Sequence, residues 1–423
     1  MSGAVCMRCG KRYRRRLDDP CALCGPEGVL DIEFDLRAAR RAINPRTLVR
    51  RPRDQWRYRE LLPLPSRARV APLHVGWTPI EDAPRLADWA GLRALRLKDE
   101  GRNPTASFKD RASGVGVARA LGRKARVVAC ASTGNAASSL AGAAASVGLT
   151  SVIFVPDFAP EPKVAQLLVF GARVIRVKGT YDETWEMCQR ACDTYGWYNR
   201  NAAVNPSLVE GKKTCGLEIA EQLGSEVPDW VAVSVGDGCT IAGTWKGLRE
   251  MHALGFIRRL PRMLGVQAEG ARPLVDAFRT GGDLVPSPAQ TLADSICVGH
   301  PRNWRKALRA VRESGAGLVR RVTGLDEAMD GAGLAVTGEG RFDWQSLRGK
   351  VVTAVAAAAV QHGVPCVLLA GQVAVGRREA AAIGVDAAYA VAEHTGSLDA
   401  AFADPAGTLA GLAEHVARQW GGQ

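Results

Sequence analysis

Short β-branched runs alternating with helix-patterned stretches constrain this chain more than any other feature. Arg126–Ala131, Ser151–Val155, Arg173–Val177, Trp230–Val235 and Met263–Val266 are each followed by a helical pattern. A strand that reaches the next strand only through a helix re-enters the sheet in the same direction, so the alternation predicts parallel sheets covered by helices. Gly or Pro marks the junctions, as at Pro156, Gly171 and Gly196, because neither residue propagates regular structure. A second stretch of the same kind starts near residue 332, and no internal repeat or long low-complexity segment is present. A chain of 423 residues exceeds one ordinary core, which points to two or three domains. No apolar run reaches the roughly 20 residues that span a bilayer, and the first residues lack a signal-peptide apolar core. A cytoplasmic address without a membrane partner is therefore expected.

The net charge is +13, and the basic residues crowd the first seventy positions, notably Arg12, Arg14, Arg15 and Arg16, then Arg37 through Arg69. A basic patch suits an anionic partner such as nucleic acid. The same composition describes an Arg-rich solvated surface, and that plainer reading is preferred. Residues 31–75, rich in Arg and Pro and weakly periodic, read as an extended arm or capping segment. Eleven cysteines in a chain this long do not form a disulfide scaffold. Four of them, Cys6-x-x-Cys9 and Cys21-x-x-Cys24, form two hairpin motifs spaced to bring four thiolates around a tetrahedral Zn²⁺. Four Cys ligands leave no open coordination position, so the metal would be structural. The other seven, at 130, 188, 192, 215, 239, 297 and 366, read as small core residues.

Three polar motifs fall between predicted strands and helices. In Asn103-Pro104-Thr105-Ala106-Ser107-Phe108-Lys109-Asp110-Arg111, Lys109 stands at a helix start, where the N-terminal dipole disfavours its positive charge. An imine-forming Lys needs that property, although Lys is also common in first turns. Ala131-Ser132-Thr133-Gly134-Asn135 follows a strand and opens the helix predicted over 136–147, an arrangement suited to a carboxylate or to a simple helix cap. Ser234-Val235-Gly236-Asp237-Gly238-Cys239-Thr240 is a Gly-rich strand–helix turn whose amides can face a phosphate.

Taken in order and spacing, these motifs resemble those of threonine synthases and their relatives among fold-type-II pyridoxal-phosphate enzymes. The stretches LKDEGRNPTASFKDR, ACASTGNAASSLAG, NPSLVEGKKTCGLEIAEQLG, SVGDGCTIAGTWKG and SICVGHPRNWRKALRAVRESG carry the resemblance over residues 95–318. Residues 6–35 are similar to the family's zinc-knuckle variant. The resemblance implies a tryptophan-synthase-β-like α/β fold, with a zinc knuckle over 1–35 and a catalytic region over 36–318. It implies that Lys109 holds pyridoxal 5'-phosphate as a Schiff base and moves protons, with Phe108 flanking the cofactor. Asn135 would bond the cofactor's 3-hydroxyl, and Ser132 and Thr133 would bind the substrate carboxylate. Gly236, Asp237, Gly238, Cys239 and Thr240 would cradle the cofactor phosphate. A lyase for elimination or replacement on an activated, O-substituted hydroxy-amino acid is the expected activity, in a homo-oligomer. A β-replacement synthase of specialised metabolism and a non-catalytic zinc-knuckle scaffold or nucleic-acid binder are the alternatives.

The substrate side departs from the family. Leu208 stands where threonine synthases carry Arg, and Ala202 and Ala203 replace a polar pair. Leu has no guanidinium fork to pair with phosphate oxygens, so O-phosphohomoserine is expected to be a poor substrate, with Lys212 and Lys213 compensating only in part. Beyond residue 318, Ala335-Val336-Thr337-Gly338-Glu339-Gly340-Arg341-Phe342-Asp343, Gln345-Ser346 and Gly349-Lys350 resemble the carboxyl-terminal part of bacterial glycerate kinases. That part supplies half an active site, so 319–423 reads as a recruited α/β segment. Thr337 and Thr408 are the candidates for the hydroxyl that this family places at the pyridine nitrogen.

Overall fold

A computed structural model describes residues 3–14, 18–202, 204–315, 318–319, 329–344, 346–348 and 351–420. Ala203, Gln345, Gly349, Lys350, Arg15 and Arg16, singled out above, lie outside them. The chain forms two compact units, one of residues 1–289 with 298–320 and the other of 290–297 with 321–423.

The first unit opens on a small antiparallel sheet of β1 (Gly3–Cys6), β2 (Arg12–Tyr13) and β3 (Leu30–Glu33), in the order β2-β1-β3. Ala4, Cys6, Cys21, Leu30 and Ile32 form its core. Residues 31–75 are not an extended arm. Helices α1 (Leu36–Ala42) and α2 (Pro45–Leu48) and the 3₁₀ turn Gln55–Leu61 follow β3. They bury Ile43, Leu48, Tyr58 and Leu61 in the main core. The apolar residues that do this are too few and too irregularly spaced to show as a periodic pattern. Some of the basic charge is internal as well. Arg57, nearly fully buried, grips Glu221 through Nε at 3.0 Å and Nη2 at 2.6 Å, a bidentate pairing.

After the hairpin β4 (Ile80–Asp82) and β5 (Arg96–Lys98), which brackets α3 (Pro84–Trp89), the predicted alternation appears. Strands β6 (Val127–Ala131), β7 (Thr150–Pro156), β8 (Arg173–Val177) and β9 (Tyr198–Asn199) form a parallel sheet in the order β8-β7-β6-β9. Its connections carry α5 (Asn135–Ala145), α6 (Glu161–Val169) and α7 (Tyr181–Tyr195), while α4 (Lys109–Gly122) precedes β6. A second parallel sheet joins β10 (Trp230–Ser234), β11 (Arg262–Val266) and β12 (Leu318–Val319). It is accompanied by α8 (Ser207–Leu223), α9 (Cys239–Leu254), α10 (Pro273–Thr280) and α11 (Trp304–Glu313). The two sheets have separate apolar cores. One is built on Val128, Leu140, Ile153 and Leu167, and the other on Ile241, Trp245, Leu248, Met251 and Met263.

Helix α8 is the joint of this unit, packing on both α4 and α9. A Cβ on Gly211 would lie 2.2 Å from Arg111 O, and one on Gly216 would lie 2.1 Å from Thr244 O. Only glycine permits such approach. Fully buried Arg111 then fastens α4 to α8, donating to Glu218 at 2.6 and 2.7 Å and to Glu100 at 2.7 Å. Burial raises the Glu218 carboxyl, but Arg111 and Lys98 overcome this and hold it at about 2.

In the second unit, β13 (Ala335–Phe342), β14 (Cys366–Val373) and β15 (Ala387–Ala390) form a parallel sheet. Helices Val351–His362 and Pro405–Trp420 accompany it, with Val352, Ala356, Ala359, Leu368, Leu412 and Val416 buried. No helix of the described residues is long and apolar enough to cross a membrane.

Candidate active site and candidate metal centre

Lys109 is the first residue of α4, and the turn before it is locked. Thr105 donates to Asp110 from its backbone N at 2.7 Å and from Oγ1 at 2.6 Å. Ala106 holds a positive φ of 52°, and Ser107 Oγ accepts from Lys109 N at 3.1 Å. A non-glycine residue in the left-handed region persists only where its surroundings impose it. The Lys109 ammonium has no hydrogen bond or ion pair among the described residues. Desolvation first, then repulsion by Lys212 and Arg200, lowers its pKa from 10.5 to about 8, with Cys239 and Asp237 opposing the shift. Asp237 and Cys239 belong to the Gly-rich motif, so the first and third motifs meet electrostatically. Phe108 is partly buried and packs against the second sheet's core.

The Gly-rich loop leaves β10 and enters α9 through Gly238, whose φ is +86°. A Cβ there would sit 2.7 Å from Ala307 Cβ. No side chain caps α9, so its first amides keep their donor capacity for an anion. Cys239 is buried, which pushes its thiol up, while Thr240 is partly exposed. Asn303 donates from its backbone N to Asp237 O at 3.1 Å. Its side-chain amide is buried, with neither Oδ1 nor Nδ2 bonded among the described residues. A buried amide without partners is costly, and an unfilled polar group beside an uncapped helix start fits a phosphate-bearing ligand.

The middle motif closes β6 onto α5. Ser132 N donates to Phe154 O at 3.1 Å, and Ser132 Oγ accepts from Gly134 N at 3.2 Å. Asn135 is the exposed first residue of α5, whose N-cap Gly134 makes no side-chain capping bond. Ser132, Thr133 and Asn135 therefore do not act as the helix cap that their residue types favour. Packing of α5 on α4, with Thr105 lying against Gly142, brings this loop's helix beside that of Lys109.

On the substrate side, Leu208 is fully buried and Ala202 is partly buried. Lys213 cannot supply the missing charge, because it is committed to Glu210 at 2.7 Å and Glu250 at 2.8 Å. Lys212 and Arg200 are the charged residues whose weight the sequence motifs did not convey. Arg200 lies outside every motif, and Lys212 looked equivalent to its neighbour. Asn303 gave no signal beyond a polar turn before a helix. In the second unit, Thr337 is buried in β13, Thr408 Oγ1 donates to Asp404 O at 2.6 Å, and Asp343 N donates to Ser346 Oγ at 3.1 Å.

The sulfurs of Cys6, Cys9, Cys21 and Cys24 all lie within 4.8 Å of one another. Zn–S bonds of about 2.3 Å at tetrahedral angles separate sulfurs by about 3.8 Å, and Cys9 and Cys21 stand 3.7 Å apart. Among the described residues, these four are the one cluster with metal-ligand geometry.

Residues 71–343 match the family described as pyridoxal-phosphate dependent enzyme. Residues 303–421 match the glycerate kinase family. The chain is 38% identical over 340 residues to threonine synthase of Methanocaldococcus jannaschii, covering 80% of this chain and 83% of that protein. To threonine synthase of Methanosarcina acetivorans it is 38% identical, over 73% of this chain and 76% of that protein. Among solved structures it resembles the processed form of threonine deaminase isoform 2 from Solanum lycopersicum. That likeness has a TM-score of 0.51 and 22% identity over 71% of this chain and 78% of the other.

Proposed function

The chain belongs to the family of pyridoxal-phosphate dependent enzymes and is a lyase of the threonine-synthase-like kind, and from that premise we propose that it acts on an O-substituted hydroxy-amino acid through Lys109. One observation carries the reading. Lys109 stands unpartnered at the head of α4, deprotonated more readily than an ordinary lysine and electrostatically coupled to the Gly-rich loop. With a pKa of about 8, about a tenth of it is neutral at pH 7, against a few in ten thousand at 10.5. That fraction sets how readily its Nζ attacks a carbonyl.

The bound cofactor supplies an electron sink at the substrate's α-carbon. In this reading Lys109 Nζ would be the amine that holds the cofactor, and the same Nζ would move the substrate's α-proton. Gly236, Asp237, Gly238, Cys239 and Thr240, with the first amides of α9, would hold the cofactor phosphate. Asn135 would bond the cofactor's 3-hydroxyl, and Phe108 would flank the cofactor. Ser132 and Thr133 fix the substrate carboxylate. The C–O bond to the O-substituent breaks with its electron pair going to oxygen, and water or another nucleophile takes the vacated carbon. A β-replacement synthase would differ only in that nucleophile. The four knuckle cysteines hold Zn²⁺ in a structural role, a fit supported by their sulfur spacing.

Incubation of the holoenzyme with a panel of O-acetyl, O-succinyl and O-phospho derivatives of serine and homoserine tests the reading. At least one should release its O-substituent, and Lys109→Ala should lower that rate by about a hundredfold or more. If the cofactor-loaded enzyme turns over no member of the panel, the substrate class is wrong.

A further inference from the structure

We infer that Lys212 selects substrates whose O-substituent carries a phosphate or carboxylate oxyanion, with Arg200 as the second cation of the same site. The inference rests on the lyase reading above. Lys212 follows Leu208 by four residues on α8, so the two project from nearly the same face, one turn apart. The Lys212 side chain is only 3% exposed. Its ammonium has no hydrogen bond or ion pair among the described residues, whereas the neighbouring Lys213 has Glu210 and Glu250. A buried ammonium left without an anion is expensive and persists where a ligand supplies the missing charge.

Geometry places this charge beside the reacting centre. Arg200 follows β9, donates from its backbone to Ala129 O at 2.8 Å, and is 2% exposed. Its Nε and Nη2 donate to Ser113 Oγ at 3.2 and 3.0 Å, and Ser113 lies one turn beyond Lys109 on α4. Gly116 of α4 faces both residues, for a Cβ there would meet Leu208 Cδ2 at 2.8 Å and Arg200 Cγ at 3.9 Å. The Lys212 stem approaches Gly243 of α9, where a Cβ would lie 3.0 Å from Lys212 Cβ. Both cations act on the Lys109 ammonium, and Lys212 acts on the Cys239 thiol as well. Two cations thus converge on Lys109 from β9 and α8, where an O-substituent would leave with negative charge. This revises the expectation drawn from Leu208. The guanidinium is missing at that position, but a buried ammonium one turn along the same helix supplies charge in its place.

The test uses cofactor-loaded enzyme with inorganic phosphate and succinate as probes, read by competition against a turned-over substrate and by perturbation of the cofactor's visible band. Lys212→Gln should weaken both anions by about tenfold or more, and should raise KM for O-phospho and O-succinyl substrates by a larger factor than for O-acetyl substrates. Lys212→Arg should restore most of the loss. Unchanged anion binding in Lys212→Gln overturns the inference, as does a variant that loses cofactor affinity instead, which would assign Lys212 to the cofactor's own phosphate. If anions bind through Lys212 but no O-substituted amino acid reacts, the lyase reading fails and the anion site stands. If O-acetyl substrates react and Lys212→Gln changes nothing, the reading stands and the anion site fails.

Discussion

In the role proposed for it Lys109 reacts only as a neutral amine, and its surroundings decide how much of it is neutral. Burial and the charges of Lys212 and Arg200 remove its proton more easily, while Asp237 and Cys239 work the other way. Its pKa is lowered, so the ammonium loses its proton at lower pH than a free lysine and the reactive form accumulates as pH rises through about 8. Covalent attachment of pyridoxal phosphate to the apoenzyme should therefore accelerate with pH and level off above that value. Lys212→Gln removes a repelling cation, so the midpoint should move upward. An unmoved midpoint in stopped-flow traces would mean that Lys212 does not face Lys109. The motif around Lys109 said little alone, since Lys is common in first turns, and it gained weight only from its order and spacing with the other two motifs. Lys212 was not distinguishable from Lys213, because only the fold gives one of them two carboxylates and the other none.

At the scale of elements, the strand–helix alternation was readable because parallel strands must be joined by covered crossovers. The strands read from β-branched runs match β6, β7, β8, β10 and β11 to within a residue at each end. The helical turns within residues 31–75 left no pattern in the sequence because they are short, and burial rather than periodicity holds them. The knuckle is wired into the larger unit by charge. Asp18, between its two Cys pairs, accepts from Arg119 and from Tyr198 Oη at 2.8 Å, and Ser207 Oγ, at the start of α8, lies 3.3 Å from it. Asp31 on β3 pairs with Lys246 at 2.8 Å and Lys306 at 3.6 Å. Metal in the knuckle would thereby steady the start of the helix that carries Leu208 and Lys212. Purified protein should contain about one zinc ion per chain, and Cys6→Ser/Cys21→Ser should lose it. At roughly 1.5 °C per kcal/mol for a unit of this size, loss of several kcal/mol of metal binding should lower Tm by roughly 5–8 °C. Undiminished zinc in the double variant would dismiss this centre.

At the scale of the whole molecule, one unit carries most of the pyridoxal-phosphate family's match and its candidate site, while most of the glycerate-kinase match lies in the other. The two matches overlap over 303–343, and α11, with Asn303 at its head, belongs to the unit that holds Lys109. We propose functional boundaries at 35 and 318, with 319–423 as a recruited segment. By its motifs the segment resembles the carboxyl-terminal part of bacterial glycerate kinases, which supplies half an active site. The account stands or falls on whether Lys109 is the amine that holds the cofactor. Reducing the holoenzyme with borohydride, digesting it and mapping the labelled peptide addresses this directly. The predicted result is a single reduced cofactor on the peptide containing Lys109, absent from Lys109→Ala. A label on another lysine, or equal labelling of that variant, would contradict the account.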